Sequence, residues 1–105
     1  MDTEALEKML AHGQDNLLLR FGLGGEYMRR GEYDKAVTHL RAAVAFDPKH
    51  AGAWKLLGKA LTACGRPDDA RKAYQDGLGA ARAAGHLQAA REMEVFLKRL
   101  DKTAS

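Results

Sequence analysis

Apolar residues recur at helical spacing in six stretches of the chain, and the residues between them are those that stop or start helices. Segment 3–12 carries Leu6, Met9 and Leu10 on one face, and segment 16–30 begins at Asn16, a good N-cap, and sets Leu19, Leu23 and Tyr27 four apart. Segment 33–46 repeats the pattern with Val37, Leu40, Ala43 and Val44, and stops at Asp47 because Pro48 disfavours helical geometry in the residue before it. A fourth helix is expected over 51–63 with Trp54, Leu57 and Leu61. A fifth starts at Pro67, which suits a first helical turn, and runs on through Leu78, Ala81 and Ala84. The last, 86–101, carries Leu87, Ala90, Met93, Leu97 and Leu100. Gly13, Gly31, Gly65 and Gly85 each follow a periodic stretch and are expected as helix C-caps.

Sliding the sequence against itself by 34 residues superposes Leu23 on Leu57, Gly24 on Gly58, Gly31 on Gly65, Asp34 on Asp68 and Ala36 on Ala70. The period and the residue types resemble the tetratricopeptide repeat, a helix-turn-helix unit with a W-x-x-L-G-x-x-Y…A-x-x-x-F…P pattern. The first copy, 17–50, supplies Leu23, Gly24, Tyr27, Ala36, Ala43 and Pro48, with Arg20 in place of Trp and Leu40 in place of Phe. The second, 51–84, supplies Trp54, Leu57, Gly58, Ala70 and Tyr74, and departs at Leu61, Gly77 and Arg82. The resemblance implies an all-α fold: a right-handed stack of antiparallel helix pairs, a tetratricopeptide-like α-solenoid of about six helices. Residues 1–105 then form a single domain, with 3–12 and 86–101 as capping helices at the two ends and 102–105 as a tail. Segment 86–101 does not keep the repeat register and reads as a closing helix.

Gly24 and Gly58 fall inside helices, where glycine costs up to ~1 kcal/mol relative to alanine. Their expected use is close helix approach, with Ala36 and Ala70 as the small residues opposite and Tyr27, Trp54 and Tyr74 filling the larger gaps.

Composition supports a helical globular chain: 46% apolar and 30% charged residues, 19 alanines, 14 leucines and two prolines. A chain of 105 residues has room for one domain and excludes large multi-step enzymes. Charge is uneven. Residues 1–34 hold seven acids and four bases, whereas 35–105 hold seven acids and thirteen bases, so attraction to an acidic partner belongs to the second part. Lys and Arg are interleaved with acids and aromatics are few, so no nucleic-acid partner is expected. No apolar run reaches the ~18 residues of a membrane span, and the start, Met1-Asp2-Thr3-Glu4, is acidic where a secretory signal is basic. One cysteine, Cys64, forms no internal disulfide, as in a reducing compartment. The expectation is a cytoplasmic chain without a membrane partner, and its alanine, arginine and glycine usage is that of a GC-rich bacterium.

Candidate chemistry is sparse, and neither an enzyme nor a cofactor is expected. Phe21-Gly22-Leu23-Gly24-Gly25 has no G-x-G-x-x-G and follows no strand, and Gly52 to Lys59 has one residue too many between its glycines for a P-loop. His12, His39, His50 and His86 are too scattered for helical metal-ligand spacing and are expected at the surface or in caps. Cys64 has no base beside it, Asp68-Asp69 suits a helix N-terminus, and Glu92 and Glu94 suit a solvated face.

The resemblance to tetratricopeptide arrays implies a non-catalytic module that binds a protein or peptide in a concave groove lined by the first helix of each repeat. That face maps to Leu18, Phe21, Gly25, Met28 and Arg29 in the first repeat and to Lys55, Leu56, Lys59 and Thr62 in the second. Such a groove is apolar at Phe21 and Met28 and basic at Lys55 and Lys59, with Arg29 as their neighbour, and suits an acidic or carboxylate-ended peptide with a bulky apolar residue. The chaperone-tail clamp of this family is matched poorly, because Phe21, Gly25 and Leu56 replace its polar residues. The alternative is a homo-oligomeric assembly protein, for example a homodimer burying Phe96, Leu97 and Leu100.

Overall fold

The computed structural model describes residues 2–104, which form α1 (Thr3–Ala11), α2 (Leu17–Arg30), α3 (Tyr33–Phe46), α4 (Ala51–Ala63), α5 (Pro67–Ala84) and α6 (Leu87–Ala104). No strand occurs among the described residues. The local signals act as expected. Asn16 Oδ1 accepts a hydrogen bond from the Leu19 N–H at 2.9 Å, and His50 Nδ1 does the same for Ala53 at the start of α4. Gly31 and Gly85 are left-handed C-caps, with φ of 77° and 74°; Gly13 and Gly65 take the same conformation one residue beyond theirs. With Arg82 where the repeat pattern has proline, α5 continues to Ala84 and reaches 18 residues. Helix α6 continues past its expected end at 101.

Consecutive helices pack on one another, and α4 also touches α2 and α6. Helices α3 and α5 do not pack backbone to backbone but meet across the Arg41–Asp69 ion pair at 3.9 Å, so α2, α4 and α6 form the inner row of a curved stack and α3 and α5 the splayed outer row. Helix α6 thus packs on α5 and α4 as a third repeat's first helix would. Helix α1 lies against α2 at the other end.

The core runs through the middle of the stack, with Leu23, Leu40, Leu57, Leu61, Tyr74 and Met93 almost without exposed surface. Its tightest points are the mid-helix glycines, but the residues opposite them are not the expected ones. A Cβ at Gly24 would stand 2.5 Å from Leu40 Cγ, and one at Gly58 would enter the Tyr74 ring. Large side chains, not Ala36 and Ala70, therefore fill the space the glycines open. The two alanines are fully buried. Gly77, which looked like a mere departure from the repeat pattern, has its own reason: a Cβ there would lie 2.6 Å from both Met93 Sδ and Trp54 Cβ. It lets α6 close on α5.

Candidate functional site

The inner row divides the expected groove into two concavities. The first lies between α1 and α2, has a volume of about 540 Å³, and is lined by Leu6, Met9, Leu18, Phe21, Gly22 and Gly25, with Glu26 on its rim. Leu18 is 81% exposed there, and nothing stands within 4 Å of a Cβ at Gly25. Phe21 is half-buried because its ring tilts onto His50, 4.9 Å between centroids. The second concavity, about 340 Å³, lies between α4 and α6. Its floor is Ala63, Tyr74, Phe96 and Leu100, and Lys59, Thr62 and Arg99 surround it.

Leu18, Phe21 and Gly25 thus meet at one end, and Lys59 and Thr62 at the other. Lys55 is not the free cation the sequence suggested, because its Nζ donates to Glu92 Oε2 of α6 at 2.7 Å. That bond holds the Glu92 carboxyl below its ordinary pKa. Arg29 is likewise engaged, with Glu26 at 2.6 Å, rather than joining the α4 lysines. Met28 and Leu56 are half-buried against the core and line neither concavity. The Thr62 hydroxyl donates back to the Gly58 carbonyl.

Lys59 keeps its charge available. Its Nζ stands 5.2 Å from the centroid of Phe96, and the Arg99 guanidinium approaches the same ring at 5.7 Å. Neither is ion-paired with a carboxylate among the described residues. Sequence reasoning found Lys59 but missed Arg99 and Phe96, whose role depends on α6 lying beside α4. Phe96 stacks on Tyr74, 5.3 Å between centroids, Leu97 is half-buried and Leu100 is 5% exposed. Of the three residues expected on a homodimer face, Leu100 is thus buried within the chain, while Phe96 and Leu97 are half-buried.

A polar cluster pins α1, and no residue pattern along the chain pointed to it. His39 was expected at the surface or in a cap and is instead 7% exposed. Its Nδ1 lies 3.0 Å from Arg20 Nη1 and its Nε2 3.1 Å from Glu7 Oε1, the oxygen that also accepts from the Tyr27 hydroxyl at 2.8 Å. Arg20 in turn donates two bonds to the Asp15 carboxylate, which lower the Asp15 pKa. Burial pushes the His39 imidazole below its ordinary pKa, and the Arg20 charge adds to the effect against the opposing pull of Glu7 and Asp15. A neutral ring with its proton on Nε2 satisfies both contacts, since Nδ1 then accepts from Arg20 and Nε2 donates to Glu7. Burial and the bond to Glu7 also push the Tyr27 hydroxyl up to about 12. Among the described residues, no group of three or more His, Cys, Asp or Glu side chains could hold a metal ion. No helix there is long and apolar enough to cross a membrane.

The helix-pair stack, the glycine seats and the inner row are those of a known repeat, and the tetratricopeptide repeat profile matches residues 27–93. The chain belongs to the tetratricopeptide repeat family. It is 51% identical, over 97% of both chains, to a TPR repeat-containing protein of Pseudomonas aeruginosa. A protein of Bordetella parapertussis, solved in solution, superposes with a TM-score of 0.82 at 48% identity, covering 98% of this chain and 90% of that one. A tetratricopeptide repeat domain protein of Salinibacter ruber shares the fold at 24% identity, with a TM-score of 0.76 over 84% of this chain and 98% of that one. Tetratricopeptide repeats are in general non-catalytic protein-interaction modules, and this chain has that scaffold.

Proposed function

We propose that this tetratricopeptide protein is a cytoplasmic, non-catalytic adaptor. It binds an acidic segment of a protein partner along the α2–α4–α6 face, with the cleft between α4 and α6 as anchor. The binding unit is the pair of repeats 17–50 and 51–84 together with its two flanking helices. One observation carries the reading: Lys59 and Arg99 flank an apolar floor of Tyr74, Phe96 and Leu100, and neither cation makes an ion pair with a carboxylate among the described residues. A carboxylate, from an acidic side chain or a chain terminus, would take charge-assisted bonds from the two cations while an adjacent apolar side chain enters the cleft. Lys55 contributes less, because an incoming carboxylate must compete with Glu92.

The test is fluorescence anisotropy with labelled short peptides that carry one bulky apolar residue beside a free terminal carboxylate, its amide, or a lysine. The free carboxylate should bind tightest, and affinity should fall with salt. The double variant Lys59→Glu/Arg99→Glu, matched to the wild type by circular dichroism and melting, should lose about tenfold or more in affinity, which is ~1.4 kcal/mol. Equal binding of all three peptides, or an unchanged affinity in the double variant, would sink the proposal. Affinity capture from native lysate with the same pair of proteins would then identify the partner.

A further inference from the structure

The concavity between α1 and α2 lies at the opposite end of the inner row from the α4–α6 cleft and has a different chemistry. It is mostly apolar, and Leu18 and Met9 lie in it at 81% and 41% exposure. Its position follows from the packing order. Along the inner row, α4 lies beside α2 and α6 beside α4, while α3 and α5 each bridge two inner helices from behind. Helix α1 packs on α2 and reaches His39 of α3 through Glu7, which puts it on the outer side of α2, as α3 is on the outer side of α4. The inner-row place in front of α1 and beside α2 is filled by no described helix, and the apolar concavity marks it.

The opposite end has the matching excess. Helix α6 is an inner-row helix whose outer side meets no further described helix. Leu87, Arg91 and Val95 lie four apart on one stripe of it, with Leu87 66% and Val95 46% exposed and Arg91 exposed beside them. Lys98 continues the stripe and is exposed as well. Charge is complementary between the ends: Asp2 and Glu4 are exposed at the concavity's end of the molecule, whereas the α6 stripe presents Arg91 and Lys98.

We propose that the α1–α2 concavity receives α6 of a second copy of this chain, so that copies stack head to tail with the solenoid continued across the junction. Leu87 and Val95 of one copy cover Leu18, Gly22 and Met9 of the next, and Gly25, open on its outer side, admits the approaching helix. The contact is heterologous: each chain uses one surface at one end and a different surface at the other, so growth by addition needs no two-fold axis. It leaves the α4–α6 cleft and its cations uncovered, so it stands or falls separately from the peptide-binding reading.

Two single-end variants make the test decisive. Leu18→Asp blocks the concavity, and Val95→Asp blocks the α6 stripe; both residues are exposed, so each variant should keep the wild-type melting temperature. Sedimentation velocity and light scattering on the intact 105-residue chain should give a mass that rises with concentration above the 11.5 kDa of one copy. Each variant alone should stay at the mass of one copy. Mixed in equal amounts, they should give two copies and no more, because one junction is intact and every further junction is blocked. A wild type that stays at one copy up to millimolar concentration overturns the proposal. So does a Val95→Asp protein that still pairs, which would place the concavity against its own symmetry mate.

Discussion

The two end helices are held by different physics. Helix α6 buries Ala90, Met93 and Leu100, sits on the seat that Gly77 clears for it, and stacks Phe96 on Tyr74. Helix α1 buries only Thr3; Leu6 and Leu10 are half-buried, and its firm attachment is one carboxylate, Glu7, shared between Tyr27 and His39. Apolar burial grows with area and has no direction, whereas the Glu7 cluster depends on a few aligned bonds and on a ring staying neutral. The end with the larger apolar seat should open only with the whole molecule. The end held by polar bonds should open first and alone.

The largest expected effect tests the apolar end. Met93→Ala removes a side chain without exposed surface and leaves a hole between Gly77 and Trp54, at a cost of about 2–5 kcal/mol. At ~4–8 °C of melting temperature per kcal/mol for a domain of this size, calorimetry resolves it easily. Met9→Ala, the same chemical change on α1 at a side chain 41% exposed, should cost well under 1 kcal/mol. Similar losses at the two methionines would mean that α1 is as deeply seated as α6, and the comparison would fail.

An intermediate effect is expected at the polar end. Glu7→Ala leaves the Tyr27 hydroxyl and the His39 Nε2–H without their acceptor, and unsatisfied groups of this kind cost about 1–3 kcal/mol. The loss should be local. Hydrogen exchange followed by mass spectrometry should show faster exchange over 3–11, with α4 and α5 keeping their wild-type protection. A uniform loss of protection across the chain would show instead that α1 and the repeats unfold as one unit.

The features that the sequence made legible act within a few residues of one another. The φ above zero at Gly31 and Gly85, the Asn16 cap, the stop before Pro48 and the start at Pro67 are local matters, and so the helix limits could be read from single residues. The repeat pattern extended this to the pairing of neighbours, which is why Gly24 and Gly58 were recognised as close-approach positions. It did not say which side chain takes the space, because Leu40 and Tyr74 reach it from another helix. The candidate site was legible only by half. Lys55 and Lys59 share an α4 face, but whether either is free depends on Glu92 and Arg99, at 37 and 40 residues' distance along the chain from them. The same distance hides the α1 cluster, since Glu7 and His39 lie 32 residues apart and no short pattern links them.

The smallest effect sharpens the comparison through pH. His39 faces Glu7 from α1, Arg20 and Tyr27 from α2, and Asp15 from the preceding loop, and its pKa is lowered in the folded chain, first by burial. In the unfolded chain an ordinary histidine titrates near ~6.5. Between the lowered folded value and ~6.5 the unfolded state binds more protons, so stability rises with pH across that window and is full above it. Acidification from pH 7 should therefore loosen the α1 attachment, because a protonated ring can no longer accept from Arg20 and places a second positive charge beside it. The bond to Glu7 survives protonation, which keeps the effect modest. Exchange over 3–11 should quicken between pH 7 and the lowered folded value after correction for intrinsic rates, while α6, packed through apolar groups, should not respond. His39→Gln, which has no titrating ring, should flatten the α1 response. If α6 responds equally, or if His39→Gln keeps the wild-type pH profile, the ends are not held by different forces in the way the geometry indicates.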